Sequence, residues 1–573
     1  MEKDLGKKWV DFENENTYDM NYLVENMNEE LGEGDLEEEY NPFHMTNVQN
    51  YNPIYNCFMD LSDCQENASL KRKHRMVNIH EIMNCNTDEI IEKPVFIKFA
   101  PLLDPVKFMI GKYNMNDERL RVLPKFNISD QSDIFPKYLE KNNVAYVDCF
   151  FSYLSSRLLN DYGFVHGIDF YGCCTGIQKK YKMNVADDLD YICESKYFHE
   201  HVGKLFTISD ETAGQVETVD SRCNKKRLEI GDDEDVESII SLGAESIGVD
   251  PLDVNDALEE VYERASIDNS VMDSDSEEES EEDASESVSE NTSCSDETES
   301  TDQTESTDEM ESTESSTSGS FSDDEIYAYI NEFPVQMICL EKCEGTFDKL
   351  LENSELDKPA GISALFQIAV TLLVYQKVFK MTHNDLHTNN IMYKSTDVEY
   401  LYYKCGGKMY RVPTFGRIYK IIDFGRAIYK CQGNVFCSDS FSHGGDAYSQ
   451  YNCEPFLNEN KPRLEPNMSF DLCRLGCSMY DFLIDDEDVY EDLDEFQKMV
   501  ADWCNDDDGK HMLYKKNGQE RYPNFKLYKM IARTVHYHTP ENQFANGLFT
   551  EYEVETLDLG VCIMDIDSMP SLI

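Results

Sequence analysis

The chain has 573 residues, 113 acidic against 51 basic, and a formal net charge of −62; this disfavours binding to nucleic acid or an anionic membrane surface and makes basic proteins the expected partners. Its 19 cysteines are scattered, and Cys173-Cys174, Cys339 with Cys343 and Cys473 with Cys477 lack the paired C-x-x-C spacing of a zinc site, so a reducing, intracellular compartment is expected. Met1-Glu2-Lys3-Asp4 does not open a signal pattern and no apolar run reaches bilayer-spanning length, so a soluble protein with no membrane contact is expected.

Residues 1–70 are rich in Asp, Glu and Asn with isolated aromatics. Such a composition predicts an acidic, disordered tail carrying a few docking residues. From Met76 short apolar runs begin, and Pro94-Val95-Phe96-Ile97-Lys98-Phe99 predicts a strand from its β-branched and aromatic content. Between Tyr146 and Asn160, Val147, Phe150, Phe151, Leu154, Leu158 and Leu159 share one helical stripe, with Asp148, Ser152, Ser155 and Arg157 mostly off it. An amphipathic helix is expected there, within a first folded segment over 76–230.

From Gly231 to Glu325 there are 35 acidic residues and one basic residue, Arg264, among repeated Ser and Thr, so this tract holds 34 of the 62 excess negative charges. It predicts a long disordered insertion over 231–325. The simplest role is a solvated spacer, although runs such as Asp273–Ser280 place serines before acidic residues and suit phosphorylation or docking of basic proteins. Folded sequence resumes at Ile326 and is expected to run to 573. Gln336–Leu340 predicts a second buried strand, and Ile362–Phe379 a helix with Leu365, Ile368, Leu372, Leu373 and Val374 facing inward.

That helix ends beside His383-Asn384-Asp385-Leu386-His387-Thr388-Asn389-Asn390, and Asp423-Phe424-Gly425 follows an apolar strand at Tyr419–Ile422. Two carboxylates and an amide suit phosphoryl transfer, whose loose transition state needs metal-held phosphates and an oriented nucleophile more than covalent chemistry. On their own, Asp385 and Asn390 are also residue types that cap a turn; the downstream Asp-Phe-Gly argues for more. Between the motifs, Glu399–Tyr410 reads as an extra hairpin turning at Gly406-Gly407. Further on, Ser469–Gly476 starts a helix in which Ser469 or Asp471 would be an ordinary cap.

These motifs resemble those of the protein-kinase-like superfamily, in a divergent form of the type found in large DNA viruses. The likeness rests also on Ala145–Asp148, His166–Gly172 and Val412–Gly416. It implies an α+β, bilobal protein-kinase-like fold, with a small β-rich amino-terminal lobe and a mainly helical carboxy-terminal lobe interrupted by the acidic insertion. It implies an ATP-dependent phosphotransferase, foremost a serine/threonine protein kinase. Asp385 would accept the proton of the attacking hydroxyl, Asn390 and Asp423 would hold Mg, and Lys98, in V-F-I-K, would contact the ATP phosphates. Lys98 would pair with a helix carboxylate; the usual glutamate is missing, leaving Asp148, the preferred partner, or Glu140 upstream. Leu340–Thr346 takes the place of the hinge, where the main chain at Glu341 and Cys343 would meet the adenine edge. Asp471 would brace the catalytic loop, and His383 would pack to fix it.

The sequence departs from the family pattern in several places. No G-x-G-x-x-G lies between Arg72 and Lys98 to bring backbone amides close to phosphates. Asn384 replaces the arginine of H-R-D, which in many kinases pairs with a phosphate on the activation loop, so dependence on that modification is not expected. His387 replaces the usual lysine, as in haspin-type, other atypical and small-molecule kinases, and no clear A-P-E follows. A protein substrate is the leading expectation; a pseudokinase scaffold and a small-molecule kinase are the competing readings. A viral chain would act in the host cytoplasm or the virion.

Overall fold

The computed structural model describes residues 9–14, 20–32, 40–59, 68–126, 131–209, 326–485, 490–556 and 560–573. The insertion expected over 231–325 lies outside them. The described residues combine helices with mainly antiparallel sheets, an α+β arrangement.

The expectation of a disordered tail over 1–70 does not hold for its described residues. Trp9 stacks on Tyr162 with ring centroids 5.1 Å apart and meets Phe379 edge-on. Helix α1 (Met20–Gly32) buries Met20, Leu23, Val24 and Met27 in one cluster with Val95, Met337 and Cys339, against which Ile97 and Phe99 also pack. The acidic composition hides a short i, i+3, i+4, i+7 stripe that covers one face of a sheet.

That sheet is antiparallel. Strand β1 (Met45–Gln49) forms one edge. A separate small sheet of β2 (His74–Met76), β3 (Glu81–Asn84) and β4 (Ile90–Glu92) leads into β5 (Val95–Pro101), which carries Lys98. Helix α2 (Val144–Tyr162) follows, then β6 (Phe170–Asn184), β7 (Phe206–Ile208) and β8 (Tyr327–Glu341). The strand order is β1-β6-β8-β5, with β7 added on β8, and the register sets Lys98 opposite Ile338. The chain leaves the described residues after Ser209, whose N–H donates to the carbonyl of Tyr327 at 2.9 Å, so both ends of the undescribed stretch meet at one corner of the sheet.

Helix α2 starts at Asn143, whose side chain accepts from the N–H of Ala145, and stops at Gly163, which takes the left-handed φ of 67° that favours glycine. It is buried on nearly every side, so Asp148, Ser152 and Ser155, expected off the apolar stripe, are inside as well. Asp148 and Ser155 are paired there: Ser155 with the hydroxyl of Tyr375 at 2.7 Å, and Asp148 with Lys98.

Helix α3 (Lys358–Phe379), capped by Asp357 on the N–H of Ala360, forms the centre of the second region. Among the described residues it is the one helix long and apolar enough to cross a membrane, and it lies in the core. Leu365, Ile368, Leu372 and Val374 are fully buried, while Leu373 is only partly so. Beyond it β9 (Ile391–Ser395) pairs with β12 (Arg417–Ile421), and between them β10 (Tyr400–Cys405) and β11 (Lys408–Pro413) form the expected hairpin. Its turn residues Gly406 and Gly407 have φ of 59° and 75°. Two late strands, β13 (Glu553–Val554) and β14 (Ile563–Asp565), extend that hairpin into a four-stranded sheet, while helices α4 (Phe470–Leu483) and α5 (Lys526–Thr534) pack beneath the motif loops.

Candidate functional site

Strand β5, helix α2 and the Asp-Phe-Gly turn meet on one ammonium. Lys98 Nζ lies 2.7 Å from Asp148 Oδ2 and 2.8 Å from Asp423 Oδ1, while Asp148 Oδ1 accepts from the main-chain N–H of Phe424 at 2.9 Å. Asp148 is therefore the carboxylate facing Lys98 despite its shorter side chain; Glu140 precedes α2. Burial would lower the Lys98 ammonium, but the Asp148 and Asp423 carboxylates hold it above the ordinary lysine range. Burial pushes Asp148 up, whereas Lys98 overcomes burial at Asp423 and holds it at about 2. Asp423 sits at a left-handed φ of 63° with its side chain 46% exposed, and its Oδ2 has no hydrogen-bond partner among the described residues, which leaves one oxygen for a further ligand.

The loop after α3 is held from below by Asp471 in α4. Its Oδ2 accepts from the N–H of His383 at 2.9 Å and its Oδ1 from the N–H of Asn384 at 2.8 Å. Helix α4 begins without a side-chain cap bond, and Ser469 Oγ has no partner among the described residues, so Asp471 braces the loop rather than capping its own helix. The His383 ring bonds the carbonyl of Ile422 at 2.9 Å and packs 5.7 Å from Phe424, which lies 4.6 Å from Phe151 of α2. Asn384, fully buried at φ 64°, donates to the carbonyls of Thr382 and Arg426 and accepts from Tyr451. An uncharged amide able to take a left-handed conformation suits that position; an arginine would bury an unpaired charge.

Asn390 donates to the main-chain oxygen of Asp385 at 2.9 Å and to His387 Nε2 at 3.1 Å, leaving its Oδ1 without a partner among the described residues. Asp385 Oδ1 accepts from the hydroxyl of Tyr528 at 2.7 Å, with Arg426 3.6 Å away. Arg474 Nε donates to the same hydroxyl at 3.0 Å. Sequence reasoning missed Tyr528, which lies 143 residues beyond Asp385 with no motif to mark it. Arg474 lies within Ser469–Gly476, the helix start that the sequence marks out.

At the junction of the two regions the Glu341 side chain is turned inward, accepting from the N–H of Asp169 at 2.9 Å and paired with Lys420. The Glu341 N–H is spent on the Asp169 carbonyl. The N–H of Cys343 has no hydrogen bond among the described residues. Where a glycine-rich loop is missing, β3 and β4 form a hairpin with Asp88 at φ 55° in its turn. Among the described residues no group of three or more His, Cys, Asp or Glu is placed to hold a metal.

No family model matches the chain. A stretch of 132 residues, 22% of the chain, is 34% identical to the serine/threonine-protein kinase haspin of Mus musculus. Over 133 residues it is 32% identical to the serine/threonine-protein kinase haspin of Bos taurus, and each match covers 16% of the relative. Over 255 residues, 42% of the chain, it is 21% identical to the uncharacterized protein 098R of Invertebrate iridescent virus 6, covering 39% of that protein. The chain thus spans well under half the length of these curated relatives, and its similarity to a serine/threonine kinase is local.

Proposed function

We propose that the chain is an ATP-dependent serine/threonine protein kinase with a bilobal kinase-like fold. The observation that carries this reading is Lys98 held between Asp148 and Asp423, with Asp385 and Asn390 presented on the loop that Asp471 braces. The sheet with α2 is then the smaller lobe, Glu341–Thr346 the hinge, and the region from α3 onward the larger lobe. The local likeness to haspin supports a Ser or Thr acceptor.

The open groups suit the reaction. The Cys343 N–H offers a donor to an adenine edge. Phe96, two residues before Lys98 on the same strand face and 47% exposed, supplies apolar surface beside it. Asp423 Oδ2 and Asn390 Oδ1 would hold magnesium; one carboxylate and one amide are too few to do so without phosphate oxygens, so metal and nucleotide would bind together. When bound, the metal neutralises charge on the transferring phosphoryl group. Lys98 contacts the phosphates. Asp385 takes the proton of the acceptor hydroxyl as its oxygen bonds to the γ-phosphorus, the bond from that phosphorus to the β–γ bridging oxygen breaks, and ADP leaves.

The test is γ-phosphate transfer from Mg-ATP by the purified chain to itself and to a mixed protein substrate, beside Asp385→Asn and Asp423→Asn. Transfer lost in both variants is expected. A wild-type chain that neither transfers phosphate nor shows a nucleotide-dependent thermal shift would overturn the reading and favour a pseudokinase scaffold.

A further inference from the structure

We propose that Tyr528, polarised by Arg474, is a positioning residue that fixes the Asp385 carboxylate by engaging Oδ1 and leaves Oδ2 to receive the acceptor proton. The inference rests on the phosphotransferase reading of the site. Its basis is a chain of three groups: Arg474 Nε donates to the Tyr528 hydroxyl at 3.0 Å, and that hydroxyl donates to Asp385 Oδ1 at 2.7 Å. A phenol oxygen that accepts from a guanidinium becomes a better donor on its other side.

The phenol is clamped. Its ring stacks on Phe525 with centroids 5.3 Å apart and packs at 5.9 Å on Phe470, with the guanidinium groups of Arg474 and Arg426 at 5.2 and 5.7 Å from its centre. Burial and Asp385 together outweigh Arg474 and keep the hydroxyl protonated, hence a donor. A ring held this way serves as a fixture rather than as a movable plug over the acceptor position.

The same helix fixes the backbone of the loop. Asp471 and Arg474 lie three residues apart in the first turns of α4 and so share a face. Asp471 fixes the main chain at His383 and Asn384, and Arg474, through Tyr528, fixes the side chain of Asp385. One helix thus fixes both the backbone and the side chain of the loop.

The experiment compares Tyr528→Phe, Arg474→Gln and the double variant in the full chain, with kcat and KM measured separately for Mg-ATP and a protein acceptor. Tyr528→Phe keeps the ring packing and removes only the hydroxyl. It is expected to lower kcat about tenfold or more with both KM values within about twofold. Arg474→Gln is expected to lower kcat as well, but to add little in the Tyr528→Phe background, because it acts through that hydroxyl. Unchanged kcat, or an increased kcat/KM for the acceptor as a plug would give, overturns the proposal. If the wild type transfers no phosphate the functional reading fails instead, and a crystal structure of Tyr528→Phe still decides the positioning: Asp385 turned away from its wild-type orientation supports it, Asp385 unmoved refutes it.

Discussion

Asp439 Oδ1 accepts a hydrogen bond from the main-chain N–H of Val144, the first residue of α2, at 3.0 Å, while its Oδ2 lies 2.7 Å from the ammonium of Lys137. Asp439 follows the hairpin Ile428–Cys431 with Asn434–Cys437, which continues from Asp-Phe-Gly, and α2 carries Asp148. One buried carboxylate thus ties the segment after the Asp-Phe-Gly turn to the start of the helix that faces Lys98. Negative charge is favoured at a helix N-terminus, and here it is built into the sequence rather than added by phosphorylation.

Asp439→Ala is therefore expected to cost about 2 kcal/mol of stability, from the lost cap and the unpaired Lys137, and to lower phosphate transfer by loosening α2. Phosphatase treatment of the wild type is expected to leave its rate unchanged. Thermal unfolding and steady-state rates check both; an Asp439→Ala chain with wild-type rate would show that α2 is held without this tie.

The buried pair of Glu341 and Lys420 gives a second prediction. Both side chains are about 5% exposed or less, and Lys93 and Lys394 reach Glu341 only at 3.8 and 3.9 Å. Removing one partner leaves a buried charge, so Lys420→Met is expected to destabilise by about 3 to 5 kcal/mol. Glu341→Leu combined with Lys420→Met removes both charges and is expected to recover most of that loss. Urea denaturation of the two variants measures the difference, and a double variant no more stable than the single one would refute it.

The proposed site was legible where its residues sit at short separations, His383 to Asn390 and Asp423 to Gly425, and where Lys98 follows the apolar run Val95-Phe96-Ile97. Their neighbours were not legible in the same way. Asp439, Tyr528 and Tyr451 reach the site from far along the chain as single residues, and no local period records such contacts. At the amino terminus the reverse happened. Met20, Leu23, Val24 and Met27 carry a clear helical period, but the acidic composition around them outweighed it. Average composition reports how much apolar surface a segment has; spacing reports whether that surface lies on one face.

His166 joins the loop after α2 to the second region, bonding the Tyr419 carbonyl through Nδ1 and the Tyr403 hydroxyl through Nε2, each at 2.8 Å. Burial lowers its pKa to about 4, against about 6.5 when unfolded. Between these values the unfolded state binds the proton and the folded state does not, so this contribution to stability is present at neutral pH and is lost as pH falls from about 6.5 toward 4. The full loss is about 3 kcal/mol. Stability of wild type minus that of His166→Gln, measured by urea denaturation, is expected to shrink by roughly that amount between pH 7 and pH 4. A difference independent of pH would mean that His166 takes up its proton as readily in the folded chain as in the unfolded one.

The corner where Ser209 bonds Tyr327 bears on the undescribed stretch that carries the acidic tract. Ile208 pairs with Ala328, so the chain departs and returns on adjacent strands already hydrogen-bonded to each other. Replacing residues 210–325 with a Gly-Ser linker of about eight residues therefore needs no stretching of β7 or β8. If residues 210–325 are a flexible spacer, closing the shorter loop costs less entropy, and the logarithmic dependence on length gives a stabilisation of about 2 kcal/mol. If the tract is a spacer, the shortened chain is expected to melt at or above the wild-type temperature and to transfer phosphate with unchanged kcat. A shortened chain that folds but selects its protein substrates differently, with a difference that fades as salt rises, would instead assign the tract to electrostatic docking of basic partners.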